Sequence, residues 1–192
     1  MSRVAPVTGG KPRDRAHRPL VRRVVLTGAS GGGKSTLLAA LAGRGIATVA
    51  EPGRRVIAAG LATPWDDPGG FARACVETAL ADLEGATAPV AVFDRSALDA
   101  LAHGARIGAA LPAVDPRGLY DTDVLFAPLW PEIFATDADR RHDLAAAAAE
   151  ADDLARRLPT WGYRLHVLPK VTVAARADWA LARLGLTEEV AP

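Results

Sequence analysis

Residues Gly28-Ala29-Ser30-Gly31-Gly32-Gly33-Lys34-Ser35 constrain this chain more than any other segment. They have the form G-x-x-x-x-G-K-[ST] and lie between a short apolar run, Val24-Val25-Leu26, and a helix-forming run over 36–41. A buried strand that passes through a glycine-rich turn into a helix leaves few architectures open. The glycines let the backbone fold back and aim consecutive N–H groups at a phosphate. The helix that follows adds the partial positive charge of its N-terminus to the same place. Lys34 then reaches the β- and γ-phosphates, and the Ser35 hydroxyl can ligate Mg²⁺. Gly28, Ala29, Ser30, Gly31, Gly32, Gly33, Lys34, Ser35 and Thr36 are therefore candidates for binding ATP.

Short β-branched runs alternate with helical patterns along the rest of the chain. Strands are expected over 23–27, 47–50, 90–93, 124–127 and 164–168, and helices over 33–42, 54–61, 71–84, 97–111, 139–158 and 173–184. Such alternation predicts a parallel sheet with helices on both faces, joined by right-handed crossovers. Residues 1–20 are rich in Pro, Gly and Arg and lack periodicity, so they read as a flexible basic tail ahead of a single domain over 21–192. The tail has no aromatic residues between its arginines to stack on bases, which argues against nucleic acid as a partner. The N-terminus lacks the apolar stretch of a signal peptide, and no run reaches the ~20 apolar residues of a membrane span. The expectation is a cytoplasmic protein, monomer or homodimer, with no membrane partner.

In a sheet of this kind ligands bind at the carboxyl ends of the strands, so the residues that follow each strand matter most. The second strand ends in Glu51-Pro52-Gly53-Arg54-Arg55. A carboxylate there can take a proton from a substrate hydroxyl, and the arginines can clamp an anionic substrate. An ordinary turn would use the same residues for a surface salt bridge between Glu51 and Arg54 or Arg55. The third strand ends in Asp94-Arg95-Ser96. Asp94 is placed to anchor Mg²⁺, Arg95 to reach phosphate or substrate, and Ser96 to cap the next helix. Asp94 itself could also be that cap.

Beyond the fourth strand, Arg140-Arg141 stand at the start of a helix, where cations oppose the helix dipole. Flanked by Asp139 and Asp143, they read as part of a mobile lid around 132–145 that closes over transferring phosphates. A salt-bridged helix face is the competing explanation. Pro169-Lys170-Val171, after the fifth strand, falls near the base of a bound nucleotide. Trp65, between the second and third helices, is a candidate contact for an acceptor or a packing anchor.

Composition narrows the function. The 192 residues contain no Asn and no Gln, so any motif that needs a side-chain amide is excluded. That removes a Ras-like GTPase, which reads guanine with Asn and positions water with Gln, and an ABC-type ATPase, whose signature ends in Gln. The single cysteine, Cys75, rules out an intrachain disulfide and a cysteine zinc site. Lysine occurs three times among 23 basic residues, and one of the three is Lys34. The four histidines show no metal-ligand spacing.

Taken together, GASGGGKST, Glu51-Pro52-Gly53-Arg54-Arg55, Phe93-Asp94-Arg95, Arg140-Arg141 and Gly162-Tyr163 resemble a bacterial family of small P-loop ATPases or kinases that carries an AAA-type domain label. The chain is similar, more distantly, to thymidylate kinase, deoxynucleoside kinases and the nicotinamide riboside kinase domain. The resemblance spans roughly 22–186. It implies a three-layer αβα fold of nucleoside-kinase type, with a five-stranded parallel sheet of order 2-3-1-4-5. It also implies that Glu51 acts as general base and that Arg140 and Arg141 belong to the lid. The absent amides depart from deoxynucleoside kinases, which read the substrate base with one.

The expected activity is an ATP- and Mg²⁺-dependent transfer of the γ-phosphate to a small-molecule acceptor. Lys34, Glu51, Asp94, Arg95, Arg140 and Arg141 are the candidate catalytic residues, Ser35 and Asp94 the metal ligands, and Arg54, Arg55, Trp65 and Arg95 the acceptor contacts. A stand-alone regulatory ATPase without an acceptor is the alternative.

Overall fold

The computed structural model describes residues 21–133 and 144–186. The N-terminal tail and the lid arginines Arg140 and Arg141 lie outside the described residues. Five strands form one parallel sheet: β1 (Arg22–Gly28), β2 (Ala47–Val49), β3 (Val90–Asp94), β4 (Asp123–Ala127) and β5 (Arg164–Val167). Their order is β2-β3-β1-β4-β5, as the resemblance implied. Around them lie α1 (Lys34–Ala42), α2 (Pro52–Ala58), α3 (Pro68–Gly85), α4 (Ala97–Ile107), α5 (Leu144–Thr160) and α6 (Val173–Arg183).

The two faces of the sheet follow from the alternation of side chains along a strand. Val24 and Leu26 of β1 point to one side, where they join Leu37 and Leu41 of α1 and Ala177 and Ala180 of α6. Val25 points to the other side, with Phe93, Val124 and Phe126, against Leu98 of α4 and Leu154 and Leu158 of α5. Strands covered on both faces read as continuous apolar runs, which is why β1, β3 and β4 were legible.

Helix ends follow local chemistry. The Ser96 hydroxyl accepts from the Leu98 N–H at 3.2 Å and caps α4, so Asp94 is not the cap. The expected helix over 97–111 ends at Ile107, because Gly108 turns left-handed at φ 67. Asp67 caps α3 by accepting from the Gly70 N–H at 2.9 Å, with Pro68 at the first helical position.

Gly28 closes β1 at φ +111, and a Cβ there would stand 2.2 Å from the Ala127 carbonyl oxygen of β4. Backbone cannot move aside as a flexible side chain can. Gly28→Ala is expected to destabilise the fold by about 3 kcal/mol, measured by denaturant unfolding. A loss below ~1 kcal/mol would mean that the two strands separate more easily than their pairing implies.

Candidate functional site

The phosphate loop runs from the end of β1 to the start of α1, with Gly31 and Gly33 at positive φ. Lys34 folds back over it. Its Nζ donates to the Ala29 carbonyl at 2.7 Å and to the Gly28 carbonyl at 3.3 Å. Burial, followed by the charge of Arg95, lowers the Lys34 ammonium from 10.5 to about 8. A lysine held this way is poorly compensated and gains from an arriving anion. If the ammonium binds phosphate, affinity is flat below pH ~8 and weakens by up to ~tenfold per pH unit above it, as the binding form is lost. Titration calorimetry across that range, in buffers of different ionisation enthalpy, should also record proton uptake on binding above pH 8. A flat profile would remove Lys34 from the contact.

One cavity of about 780 Å³ opens in front of the loop. Its walls include Ser30, Gly31, Gly33, Lys34, Ser35 and Thr36 from the loop, Glu51 and Arg54 from the end of β2 and the start of α2, and Arg95. Lys34, Ser35, Glu51, Arg54 and Arg95 are thus brought together around a single space. Asp94 lies just behind that wall. It is 5% exposed, and its Oδ1 is buried without a hydrogen-bond partner. Burial, then the charge of Glu51, raises its pKa.

An orphan carboxylate oxygen behind a wall that carries the Ser35 hydroxyl suits a hard cation. Among the described residues no three His, Cys, Asp or Glu side chains gather as a metal cage. The ion that fits is one that takes most of its shell from phosphate and water, which is the habit of Mg²⁺.

Arg95 is the hub of the polar wall. It is the one described non-glycine residue at positive φ, 61°, and its N–H is bonded to the Leu26 carbonyl at 2.9 Å. This left-handed turn is costly for a residue that carries a Cβ and persists only where the surroundings fix it. Three carboxylates fix it here: Glu51 Oε1 at 3.1 Å, Asp99 Oδ1 at 3.3 Å and Glu150 Oε1 at 3.6 Å. Burial opposes the charged form, but Glu150, Glu51 and Asp99 outweigh it and hold the guanidinium firmly protonated. Glu51 is shared between Arg95 and Arg54, the latter at 3.3 Å. The turn salt bridge considered from sequence therefore exists, and the same carboxylate also faces the cavity.

Two expected acceptor contacts stand elsewhere. Arg55 turns from the cavity and bonds both carboxylate oxygens of Asp82 on α3 at 2.6 Å. One helical step carries it to the α2–α3 surface, while Arg54 stays on the cavity wall. Trp65 does not line the cavity. The turn closed by Thr63 Oγ1 and Asp66 at 2.7 Å presents Pro64 to it instead.

Sequence reasoning missed Asp99, Glu150 and Arg176, all on the cavity wall. Asp99 is buried on α4, where it accepts from Ser96 Oγ at 3.0 Å and from the Thr27 hydroxyl. Burial raises its pKa. Its signal was an acid among Leu98, Ala100, Leu101 and Ala102, all buried. Glu150 ends the alanine run of α5 on a face that includes Ala146 and Ala149. Burial works against its charge, but Arg95 prevails and lowers its pKa.

The cavity is also walled by Phe71, Cys75, Ala100, His103 and Arg106. Phe71 meets the His103 ring edge-on, at 6.3 Å between centroids. The Arg106 Nη2 donates to His103 Nδ1 at 2.8 Å. Burial pushes the Cys75 thiol up to about 12, so it is an apolar wall element rather than a nucleophile.

A family model described as an AAA domain matches residues 23–176. This chain belongs to that AAA-domain family. The match runs from β1 into the first turn of α6 and contains the whole cavity wall described above. Solved structures share the fold of this AAA-domain chain. Deoxyadenosine kinase from M. mycoides with bound dATP superposes with a TM-score of 0.58 at 12% identity, covering 85% of this chain and 99% of that one. Shikimate kinase from Acinetobacter baumannii in complex with shikimate gives 0.54 at 16% identity, covering 89% and 96%. Shikimate kinase from Aquifex aeolicus gives 0.52 at 16%, covering 85% and 96%. No curated protein matches the chain. Among the described residues no helix is long and apolar enough to cross a membrane.

Proposed function

We propose that this chain is a phosphotransferase that moves the γ-phosphate of ATP to a hydroxyl- or phosphate-bearing small molecule. One observation carries the reading. Glu51 and Arg95 share a single cavity with the phosphate loop, and Phe71 and Cys75 add an apolar part to its wall. A site built only to hydrolyse ATP has no use for that apolar part. The overlap of 85% and 89% of this chain with two kinds of small-molecule kinase supports the same reading.

In this scheme the loop N–H groups and Lys34 hold the β- and γ-phosphates. Ser35 and Asp94 would hold Mg²⁺, which neutralises phosphate charge and orients the oxygens. Glu51 accepts the proton of the attacking acceptor hydroxyl as its oxygen bonds to phosphorus and the bond to the β-phosphate oxygen breaks. Arg95 donates to the transferring phosphoryl group and orients Glu51 through their 3.1 Å contact. Glu150 and Asp99 hold Arg95 in place. Arg140 and Arg141 are assigned to the lid that shields the transfer, and Arg54 to the acceptor. Phosphoryl transfer demands chiefly positioning and charge stabilisation, and this inventory supplies both.

The test is transfer itself. With γ-labelled ATP and a panel of alcohols, sugars, nucleosides and hydroxy acids, label should appear on at least one acceptor. Label found only as inorganic phosphate across the panel would favour the stand-alone ATPase. Glu150→Gln should weaken acceptor-supported turnover by ~10-fold, chiefly through KM, because a charged anchor of Arg95 is lost. An unchanged KM and kcat would show that Arg95 does not depend on α5.

A further inference from the structure

Arg176, in the first turn of α6, is 2% exposed. Its Nη1 donates to the Gly32 carbonyl of the phosphate loop at 3.0 Å. Its Nε and Nη2 are buried with no hydrogen-bond partner. Among the described residues no carboxylate pairs with it, and the Trp130 ring lies over the guanidinium at 5.3 Å. The position is unfavourable twice over. A buried cation without a counter-charge costs stability, and the first turn of a helix repels positive charge. Burial alone lowers its pKa, with no acid to oppose it. A side chain kept for packing would be apolar here. The fold instead holds two unsatisfied donors and a bare positive charge against the loop, on a wall of the same cavity.

We propose that Arg176 is a phosphate-binding residue of the nucleotide site: Trp130 moves off the guanidinium when nucleotide arrives, and Nε and Nη2 bond to the α-phosphate. The inference rests on the reading of the loop as a nucleoside triphosphate site. The choice of phosphate follows from position. Lys34, Asp94, Glu51 and Arg95 lie close enough to feel one another's charge and serve the γ-phosphate in the scheme above. Arg176 lies against Gly33, where a Cβ would stand 2.6 Å from Nη1 and 3.6 Å from the Thr36 hydroxyl. Thr36 follows Lys34 and Ser35 into α1 and lines the same cavity. An ion pair with phosphate exceeds a cation–π contact, so the exchange favours binding.

Binding of Mg·ATP and Mg·GTP to the full chain, with melting temperature and tryptophan emission recorded beside it, tests the proposal. Arg176→Met should bind both nucleotides ~10²-fold more weakly, the loss expected for a charged hydrogen-bond pair. Without nucleotide it should melt no lower than the parent chain, since an unpaired buried charge has gone. Arg176→Lys should recover part of the affinity, and serves as the test if the Met variant does not fold. Nucleotide should change tryptophan emission in the parent chain, and Trp130→Phe should remove most of that change. Affinity within ~3-fold of the parent in both Arg176 variants would overturn the proposal. So would a loss confined to ATP, which would put the contact at the base. If the parent chain and Lys34→Ala bind nucleotide equally, the loop reading itself fails, whatever Arg176 does.

Discussion

Lys34→Ala is expected to reduce ATP turnover by ~10³-fold, with or without an acceptor. The ammonium is the one flexible cation inside the loop, and it now spends its hydrogen bonds on the Gly28 and Ala29 carbonyls. A phosphate would replace those weak acceptors with a charged one. Removing the side chain leaves the loop N–H groups to bind alone, so a residue of nucleotide affinity survives while transition-state charge goes unmatched. The fold should tolerate the change. Lys34 is buried and its ammonium is destabilised there, with a pKa of about 8. An alanine variant that melts near the parent temperature and has lost turnover fits this account. Retained turnover in a folded variant would defeat it.

Glu51→Gln should lower kcat for acceptor-dependent transfer by ~10²–10⁴-fold with ATP affinity nearly kept, the range for loss of a general base. Glutamine preserves volume, and its carbonyl oxygen can keep the 3.1 Å place opposite Arg95, while its NH2 takes the oxygen position that accepted from Arg54 and gives up that contact. What disappears is the capacity to take a proton. The split between kcat and ATP affinity is therefore the informative readout. A fall in ATP affinity alone would make Glu51 a structural anchor of Arg95. No change in either would return it to the turn salt bridge with Arg54.

The loop, its strand and its helix were legible because their chemistry is local. Glycines, one lysine and an apolar run within a dozen residues specify a backbone path without help from the rest of the chain. The ends of β2 and β3 were legible for a related reason, since a parallel sheet gathers its strand ends on one edge. Glu51, Asp94 and Arg95 could be placed there before any packing was known. Arg55 and Arg54 differ by one helical step, and only the seat of α2 on α3 decides which meets Asp82 and which faces the cavity. Trp65 depended on the path of a turn that no periodicity reports. Asp99, Glu150 and Arg176 belong to helices whose rotation about the sheet is set by packing. Each still left a trace: a charge on an apolar face at Asp99, an acid closing an alanine run at Glu150, and a cation in a first turn at Arg176. The last is the same signal read at Arg140 and Arg141.

The most direct test of phosphoryl transfer is ADP release with and without acceptors, measured on the parent chain and on Glu51→Gln together. The account predicts that some hydroxyl-bearing acceptor raises release at least ~10-fold over the acceptor-free rate, and that Glu51→Gln removes this stimulation while leaving the slow acceptor-free rate in place. Release that no acceptor raises, and that Glu51→Gln lowers in the absence of any acceptor, would contradict it and assign Glu51 to the activation of water.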